Sequence, residues 1–285
     1  MALPAGVGAL SAALEAIYAR AEVRAVRADG LYFHLELDLP SFPKADPGQF
    51  IMMGPGDPEA APADPLLMRP MSILAQEPGR LSILFKKVGR VTAMLAEASP
   101  GDALRLLGPL GRAFTIATAP PPILVGGGAG VPPLCFLSRR LSGAGIAHRL
   151  LFGFGQAADL PLRAIESLDL APEIFTLDGS LGRAGHPVMA LAEDRPAGRI
   201  QACGPPAMLE ALKKAALPGE ALELSLEERM ACGMGFCRGC VVPVADGDSW
   251  RYATVCREGP VFDAADLADS ALSVEGCCCG EGESG

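Results

Sequence analysis

The chain has 285 residues, half of them hydrophobic and a fifth charged, with a formal net charge of −9. That length holds two or three domains with buried cores, and the acidic balance argues against nucleic acid as a partner. Nine cysteines in so long a chain are not a secreted disulfide framework, and no apolar run reaches membrane-spanning length, so a cytoplasmic protein with no membrane segment is expected.

Residues 1–20 predict an N-terminal extension, a short helix or loose arm, because Ala12, Ala13, Leu14, Ala16 and Ile17 favour helix. The stretch lacks the basic start of a signal peptide, and Glu15 interrupts it. From Ala21 the pattern turns to period two. Over 30–39 the leucines and Phe33 share one face, while Tyr32, His34, Glu36 and Asp38 share the other, which predicts a half-buried strand. His34 reads there as a solvated strand residue without a role. Further short strands are expected at 49–53, 81–85 and 104–107, each following a turn rich in proline and glycine. Together they predict an antiparallel barrel or sandwich over 21–118, with a short helix at 92–98.

After three prolines at 120–122 the grammar changes. A short apolar strand at 123–125 runs into a glycine-rich turn and a helix at 134–141. Strands at 147–153, 173–176 and 199–202 follow, separated by helix-length segments, and a last helix spans 207–216. This is the alternation of a parallel α/β sheet, expected over 119–220. A small cysteine domain is expected over 221–270, and a disordered, glycine-rich tail carrying Cys277, Cys278 and Cys279 over 271–285. The fold class is therefore multidomain, α+β followed by α/β.

The third domain carries the most specific motif, Cys232, Cys237 and Cys240 spaced as C-x4-C-x2-C, with Cys256 as a fourth thiol. This is the spacing of a plant-type [2Fe–2S] loop, in which the backbone must curl around inorganic sulfide. Gly233, Gly235 and Gly239 would permit the curl and bring N–H groups close to an anion. Structural zinc held by the same four cysteines is the alternative, although only Cys237 and Cys240 form a C-x2-C knuckle.

Two weaker signals precede it. Gly126, Gly127, Gly128 and Gly130 form a strand-to-helix turn where N–H groups and a helix dipole can hold a pyrophosphate, or a tight turn with no ligand. Cys203, Gly204 and Pro205 end a later strand, which places them beside that turn in an open sheet. Arg69-Pro70-Met71-Ser72 offers a guanidinium for a pyrophosphate and a hydroxyl for a ring nitrogen, though read alone Arg69 is as well a surface residue. Asp178-Gly179-Ser180 is a candidate for the nicotinamide side or a plain turn.

The order RPMSI, FKKVGRVT, PLG, GGGAGVPPL, CGPPAML and C-x4-C-x2-C resembles one architecture from Ala21 to Leu267. It is similar to the electron-transfer subunit of the NAD-dependent, type B dihydroorotate dehydrogenases, within the ferredoxin–NADP reductase superfamily. The resemblance implies a flavin-binding barrel, a Rossmann-like NAD domain and a [2Fe–2S] domain. Arg69, Pro70, Met71 and Ser72 would bind FAD, with Arg69 on the pyrophosphate and Ser72 near flavin N5. Phe85, Lys86 and Lys87 would line the flavin site. Val91 and Thr92 would offer backbone donors to the FAD phosphates, where the family usually has glycine–threonine. The turn at Gly126, Gly127, Gly128 and Gly130, with Gly204 and Pro205, would take NAD, and Cys203 would stand beside the nicotinamide. Cys232, Cys237, Cys240 and Cys256 would hold the cluster.

Electron counting orders these cofactors. Nicotinamide accepts two electrons together as a hydride, a cluster passes one at a time, and a flavin does both, so the flavin belongs between them. The implied partner is a catalytic, FMN-containing dihydroorotate dehydrogenase subunit in a heterotetramer with two copies of each chain. The small subunit of a ferredoxin-dependent NAD(P) oxidoreductase or sulfide dehydrogenase has a very close pattern. A structural module with four-cysteine zinc is the non-enzyme reading.

Overall fold

The computed structural model describes residues 16–60, 64–195 and 197–272. Strands β1 (Ile17–Asp29), β2 (Tyr32–Asp38), β3 (Phe50–Pro55), β4 (Arg69–Glu77), β5 (Arg80–Lys86) and β6 (Ala103–Leu110) close a barrel. Helix α1 (Arg90–Ala96) lies between β5 and β6 in the chain. The barrel order is β1-β2-β5-β4-β3-β6, antiparallel throughout, so every strand is paired on both sides and no edge is left open. Leu35, Leu37, Ile51, Ile73, Ile83 and Leu106 fill the interior with no solvent exposure. Each contributes roughly 1.5–3 kcal/mol relative to an exposed side chain.

Two expectations fail here. Ile17 does not continue a helix: Ile17–Glu22 pairs antiparallel with Ala103–Gly108. The alanine-rich composition favoured helix, but a closed barrel requires a partner for β6, and tertiary pairing overrides local propensity. Residues 1–15 and 273–285, the latter including Cys277, Cys278 and Cys279, lie outside the described residues. Tyr32, placed on the solvated face of β2, is fully buried. It packs with Leu74, Leu84 and Phe152 in a core shared by the barrel's outer wall and the following α/β unit. His34, on the same face, is half-buried, and its Nε2 has no partner.

The second sheet is built from β7 (Ile123–Gly127), α2 (Val131–Gly143), β8 (Arg149–Phe154), α3 (Leu162–Glu166), β9 (Glu173–Thr176) and β10 (Arg183–Ala184). It continues with α4 (Val188–Glu193), β11 (Ile200–Cys203), α5 (Pro206–Ala215) and β12 (Leu222–Ser225). The chain then leaves for the cysteine loop and the hairpin β13 (Val241–Asp246)–β14 (Ser249–Thr254). It returns through α6 (Val255–Glu258) to β15 (Val261–Asp263). The sheet order is β10-β9-β8-β7-β11-β12-β15, parallel except that β15 runs antiparallel to β12. The sheet thus continues past residue 220, and the cysteine segment supplies its last strand.

The link between barrel and sheet is fixed by a buried polar knot. Glu223 on β12 is 3% exposed and Gln201 on β11 is fully buried. The Thr115 N–H (3.0 Å) and the Gln201 amide (2.7 Å) donate to Glu223, and the amide also reaches the Thr115 carbonyl at 2.8 Å. Arg199 adds a charge-assisted bond to Glu223 at 3.3 Å. Because a buried donor left unpaired costs its full desolvation, Glu223→Ala should destabilise the chain by about 3 kcal/mol. Chemical denaturation measures this directly, and an unshifted midpoint would contradict the anchoring role.

Candidate functional site

Strand order reverses about β7, with β8 on one side and β11 on the other. Such a switch point opens a crevice at the carboxyl ends of parallel strands. Gly126 stands opposite Cys203 in the ladder, so the turns after β7 and β11 lie side by side. Their contact leaves no space for side chains. A Cβ on Gly130 would lie 2.4 Å from the carbonyl carbon of Cys203 and from the nitrogen of Gly204. One on Gly127 would meet Met208 Sδ at 2.7 Å and Pro205 Cδ at 2.9 Å. Gly126 is pressed on the Phe152 ring, and Gly204 on Met208. These four glycines are required by the packing of the chain on itself.

Gly128 differs. Its φ is +52°, and a Cβ there would meet nothing within 4 Å. It borders a cleft of about 160 Å³, together with Gly127, Asp159, His186, Met208 and, from the barrel, Lys86. The start of α2 offers this cleft fewer donors than the sequence suggests. Pro132 and Pro133 have no N–H, and the Val131 N–H donates to the Gly128 carbonyl.

Cys203 is buried, its thiol hydrogen-bonded with Ser225 on β12. Burial, with the nearby Glu227 carboxylate, pushes its pKa well above the usual thiol value, so it remains a neutral thiol. Several groups around the crevice carry no sequence signal. The Tyr32 hydroxyl is buried without a partner, and burial plus Asp159 and Glu227 raise its pKa. Desolvation by the protein packed around it raises the Glu227 carboxyl although the residue is exposed, with Lys86 acting the other way. Burial also lowers His186, whose Nδ1 accepts the Val188 N–H at 3.3 Å. Asp178, by contrast, is taken up locally, accepting from the Ser180 N–H and hydroxyl.

On the barrel, Arg69 opens β4 in exposed surroundings, and its Nη1 donates to the carbonyls of Leu67 (3.3 Å) and Met68 (3.2 Å). It has no carboxylate partner among the described residues, which leaves its charge for an external anion. Leu66, Leu67 and Val88 are large apolar side chains exposed nearby in the chain, before β4 and before α1. Pro70 and Ser72 are half-buried on β4, whereas Met71 and Phe85 point into the core. Phe85 stacks on Phe33 with centroids 5.8 Å apart. Lys86 Nζ lies 4.8 Å from the Tyr32 ring centroid, and Lys87 pairs with Glu97 at 3.0 Å. The Thr92 hydroxyl accepts the N–H groups of Val88 and Gly89, both at 2.9 Å, and so caps α1. Valine replaces the usual glycine at Val91 without obstructing that helix start, because its side chain is buried in the barrel core.

The cysteine loop is irregular and sits on the barrel. Gly233 has φ +71°, and a Cβ there would meet Met52 Cγ at 2.5 Å. Gly235 has φ +83° against Arg257, but the third left-handed residue is Arg238 (φ 53°) rather than Gly239. The thiols gather two and two. Cys232 Sγ accepts the N–H groups of Met234 (3.4 Å) and Cys237 (3.5 Å) and pairs with the Cys237 thiol. Burial raises the Cys232 pKa, but these donors outweigh it and bring it down to about 7. Burial and the adjacent Cys240 thiol push Cys256 up to about 12. Among the described residues no three His, Cys, Asp or Glu side chains gather as a site for one ion. Two thiol pairs, one held under N–H donors, suit the two irons of a [2Fe–2S] cluster.

The glycine geometry yields a paired test. Gly130→Ala forces the β7 and β11 turns apart and should lower the thermal midpoint markedly, whereas Gly128→Ala carries only about 1 kcal/mol of backbone strain. Equal destabilisation of the two variants in a melting experiment would refute the close-packing account.

Residues 227–268 match the family model for the iron–sulfur cluster binding domain of dihydroorotate dehydrogenase B. The chain is 39% identical over 227 residues to the dihydroorotate dehydrogenase B (NAD(+)) electron transfer subunit of Bacillus caldolyticus, covering 78% of this chain and 86% of that protein. The Listeria monocytogenes (strain HCC23) subunit of the same name is 39% identical over 229 residues, covering 78% and 87%. Among solved structures, an NADH-dependent reduced ferredoxin–NADP oxidoreductase superposes with TM-score 0.75 at 25% identity over 89% of this chain and 91% of that one. The ferredoxin reductase of carbazole 1,9a-dioxygenase shares the fold, with TM-score 0.59, 23% identity and coverage of 70% and 65%. No helix among the described residues is long and apolar enough to cross a membrane. With the thiol pairs, the barrel and the switch-point crevice in one chain, the protein belongs to the family of dihydroorotate dehydrogenase B electron-transfer subunits.

Proposed function

We propose that this chain carries electrons from dihydroorotate oxidation, performed by an FMN-containing partner subunit, through a [2Fe–2S] cluster and FAD to NAD+. The observation that carries this reading is the seat of the cysteine loop, whose Gly233 is pressed onto Met52 and Leu110 of the barrel wall. Cluster ligands and flavin barrel are thereby neighbours within one chain. The assembly is a heterotetramer of two copies of each subunit.

FAD, when bound, supplies the exchange between single electrons and a hydride. The chain's own residues bind and orient. Arg69, without a carboxylate partner among the described residues, holds the FAD pyrophosphate, and Ser72 lies toward flavin N5. Val91 and Thr92 supply N–H groups from the start of α1, whose cap the Thr92 hydroxyl completes. Cys232, Cys237, Cys240 and Cys256 ligate the cluster, the first under two backbone donors. NAD enters the crevice beside Gly128, and Cys203, a neutral thiol buried at the end of β11, sets the nicotinamide position by steric contact.

A second reading, the small subunit of a ferredoxin-dependent NAD(P) oxidoreductase, draws on the full-length structural likeness to the reductase described above. The partner decides between them. Purified with its co-eluting subunit, the chain should reduce NAD+ with dihydroorotate as the only donor, and failure with that donor alone favours the second reading.

Arg69→Ala should give protein with full iron content but depleted in flavin, since losing a desolvated charge-assisted contact costs about 2–5 kcal/mol. Wild-type FAD content would remove Arg69 from the site. Cys203→Ala should keep both cofactors yet slow NADH-driven flavin reduction by up to about 10²-fold, the effect of small misplacement. An unchanged stopped-flow rate would leave Cys203 as an ordinary buried residue.

A further inference from the structure

The backbone that leads into Arg69 is held by a second arginine. Arg105 on β6 is 7% exposed, yet among the described residues it has no carboxylate partner. Its guanidinium donates instead to two carbonyls, from Nε to Pro55 at 3.1 Å and from Nη2 to Pro65 at 2.9 Å. Pro55 ends β3, and Pro65 lies just ahead of the Leu67 and Met68 carbonyls that Arg69 takes. To reach Pro65 the side chain crosses β3. Gly54 stands opposite Arg105 in the β3–β6 ladder and Met53 opposite Arg69 in the β3–β4 ladder, so the two arginines flank one strand end. A Cβ on Gly54 would lie 3.4 Å from Arg105 Nη2 and 3.2 Å from Met68 Cγ, so the bare glycine backbone gives the guanidinium its passage. The segment has one other charged tether, the pair of Asp64 with Arg90 at the start of α1, 2.6 Å long but largely exposed. Exposed pairs contribute little, which leaves Arg105 as the stronger hold. A buried guanidinium is costly unless its donors are satisfied, and its planar fork fixes both the direction and the spacing of the groups it binds. What it fixes here is the backbone immediately before Arg69.

We propose that Arg105 is a positioning residue for the flavin site: it sets the backbone of residues 64–68 so that the Arg69 guanidinium stays directed at the FAD pyrophosphate. The proposal rests on the reading of Arg69 as the pyrophosphate ligand, and it adds a residue that acts only through Arg69. The fork is essential to this role. A lysine would keep the charge but, as a point charge on a flexible stem, could not hold the Pro55 and Pro65 carbonyls in one fixed geometry.

The test uses the complete complex with its cluster and measures FAD affinity by equilibrium ultrafiltration, together with the phosphorus NMR resonances of the bound FAD diphosphate. Arg105→Lys should weaken FAD binding about tenfold and shift those resonances, with iron content unchanged. In an Arg69→Ala background the same Arg105→Lys substitution should change FAD affinity no further, because the contact through which it acts is already gone. Gly54→Ala crowds the guanidinium without removing it and should weaken FAD by a smaller factor in the same direction. If Arg69→Ala binds FAD as the wild type does, the reading of Arg69 falls, and the proposal with it. If Arg69→Ala weakens FAD while Arg105→Lys does not, or if the two losses simply add, the Arg69 reading stands and the positioning role of Arg105 is overturned. Should Arg105→Lys fail to fold, Gly54→Ala decides, and wild-type FAD affinity in that variant overturns the proposal.

Discussion

Two strand ends meet in this protein with no side chain between them. The Cβ that Gly130 lacks would fall 2.4 Å from the backbone that follows Cys203, closer than any real carbon can stand. From that contact follow the shape of the crevice, the burial of the Cys203 thiol and the place of Gly128 as the one glycine of the turn with free space at its Cβ position. The same closeness tells structural glycines from a cofactor-facing one. A glycine-rich turn is often credited wholly to its ligand. Most of the glycines here answer to Phe152, Met208 and the neighbouring turn.

Charge is arranged with similar economy. The buried Glu223 satisfies donors from the linker, from β11 and from Arg199 just before β11, which fixes the α/β sheet to the segment leaving the barrel. The cysteine loop leans on the barrel wall at Met52 and Leu110. Tyr32, Lys86, Asp159 and Glu227 then face one another where barrel, sheet and loop converge. A tyrosine with its hydroxyl unpartnered and a lysine over its ring make a site whose electrostatics no single domain determines.

Legibility in the sequence followed the range of the interactions. The cysteine spacing could be read because iron and sulfide impose it locally, and the thiols do pair in chain order. Leu35 and Leu37 announced the barrel interior because alternation is a property of one strand. Tyr32 could not be placed, since the unit that covers it lies more than a hundred residues further along the chain. Ile17 was misread for the same reason: its partner is Gly108, and only barrel closure makes it a strand. The missing N–H groups at α2 were written plainly in Pro132 and Pro133, but their cost appears only once the turn is seen to consume the remaining donor. Val91, where the family usually has glycine, buries its side chain in the barrel core.

The antiparallel return of β15 has a further consequence. The chain departs the sheet after Ser225 and rejoins it at Val261, and these two residues are paired neighbours in the ladder. Everything between them, including all four ligand cysteines, is an excursion whose ends meet side by side. A segment attached in that way adds little loop-closure cost to the domain that hosts it, because the host already holds the ends together. Metal-binding cassettes of this kind can be inserted into, or lost from, an existing reductase scaffold with only one edge strand disturbed. The topology of a single short strand thus records how a flavin reductase could acquire a one-electron port.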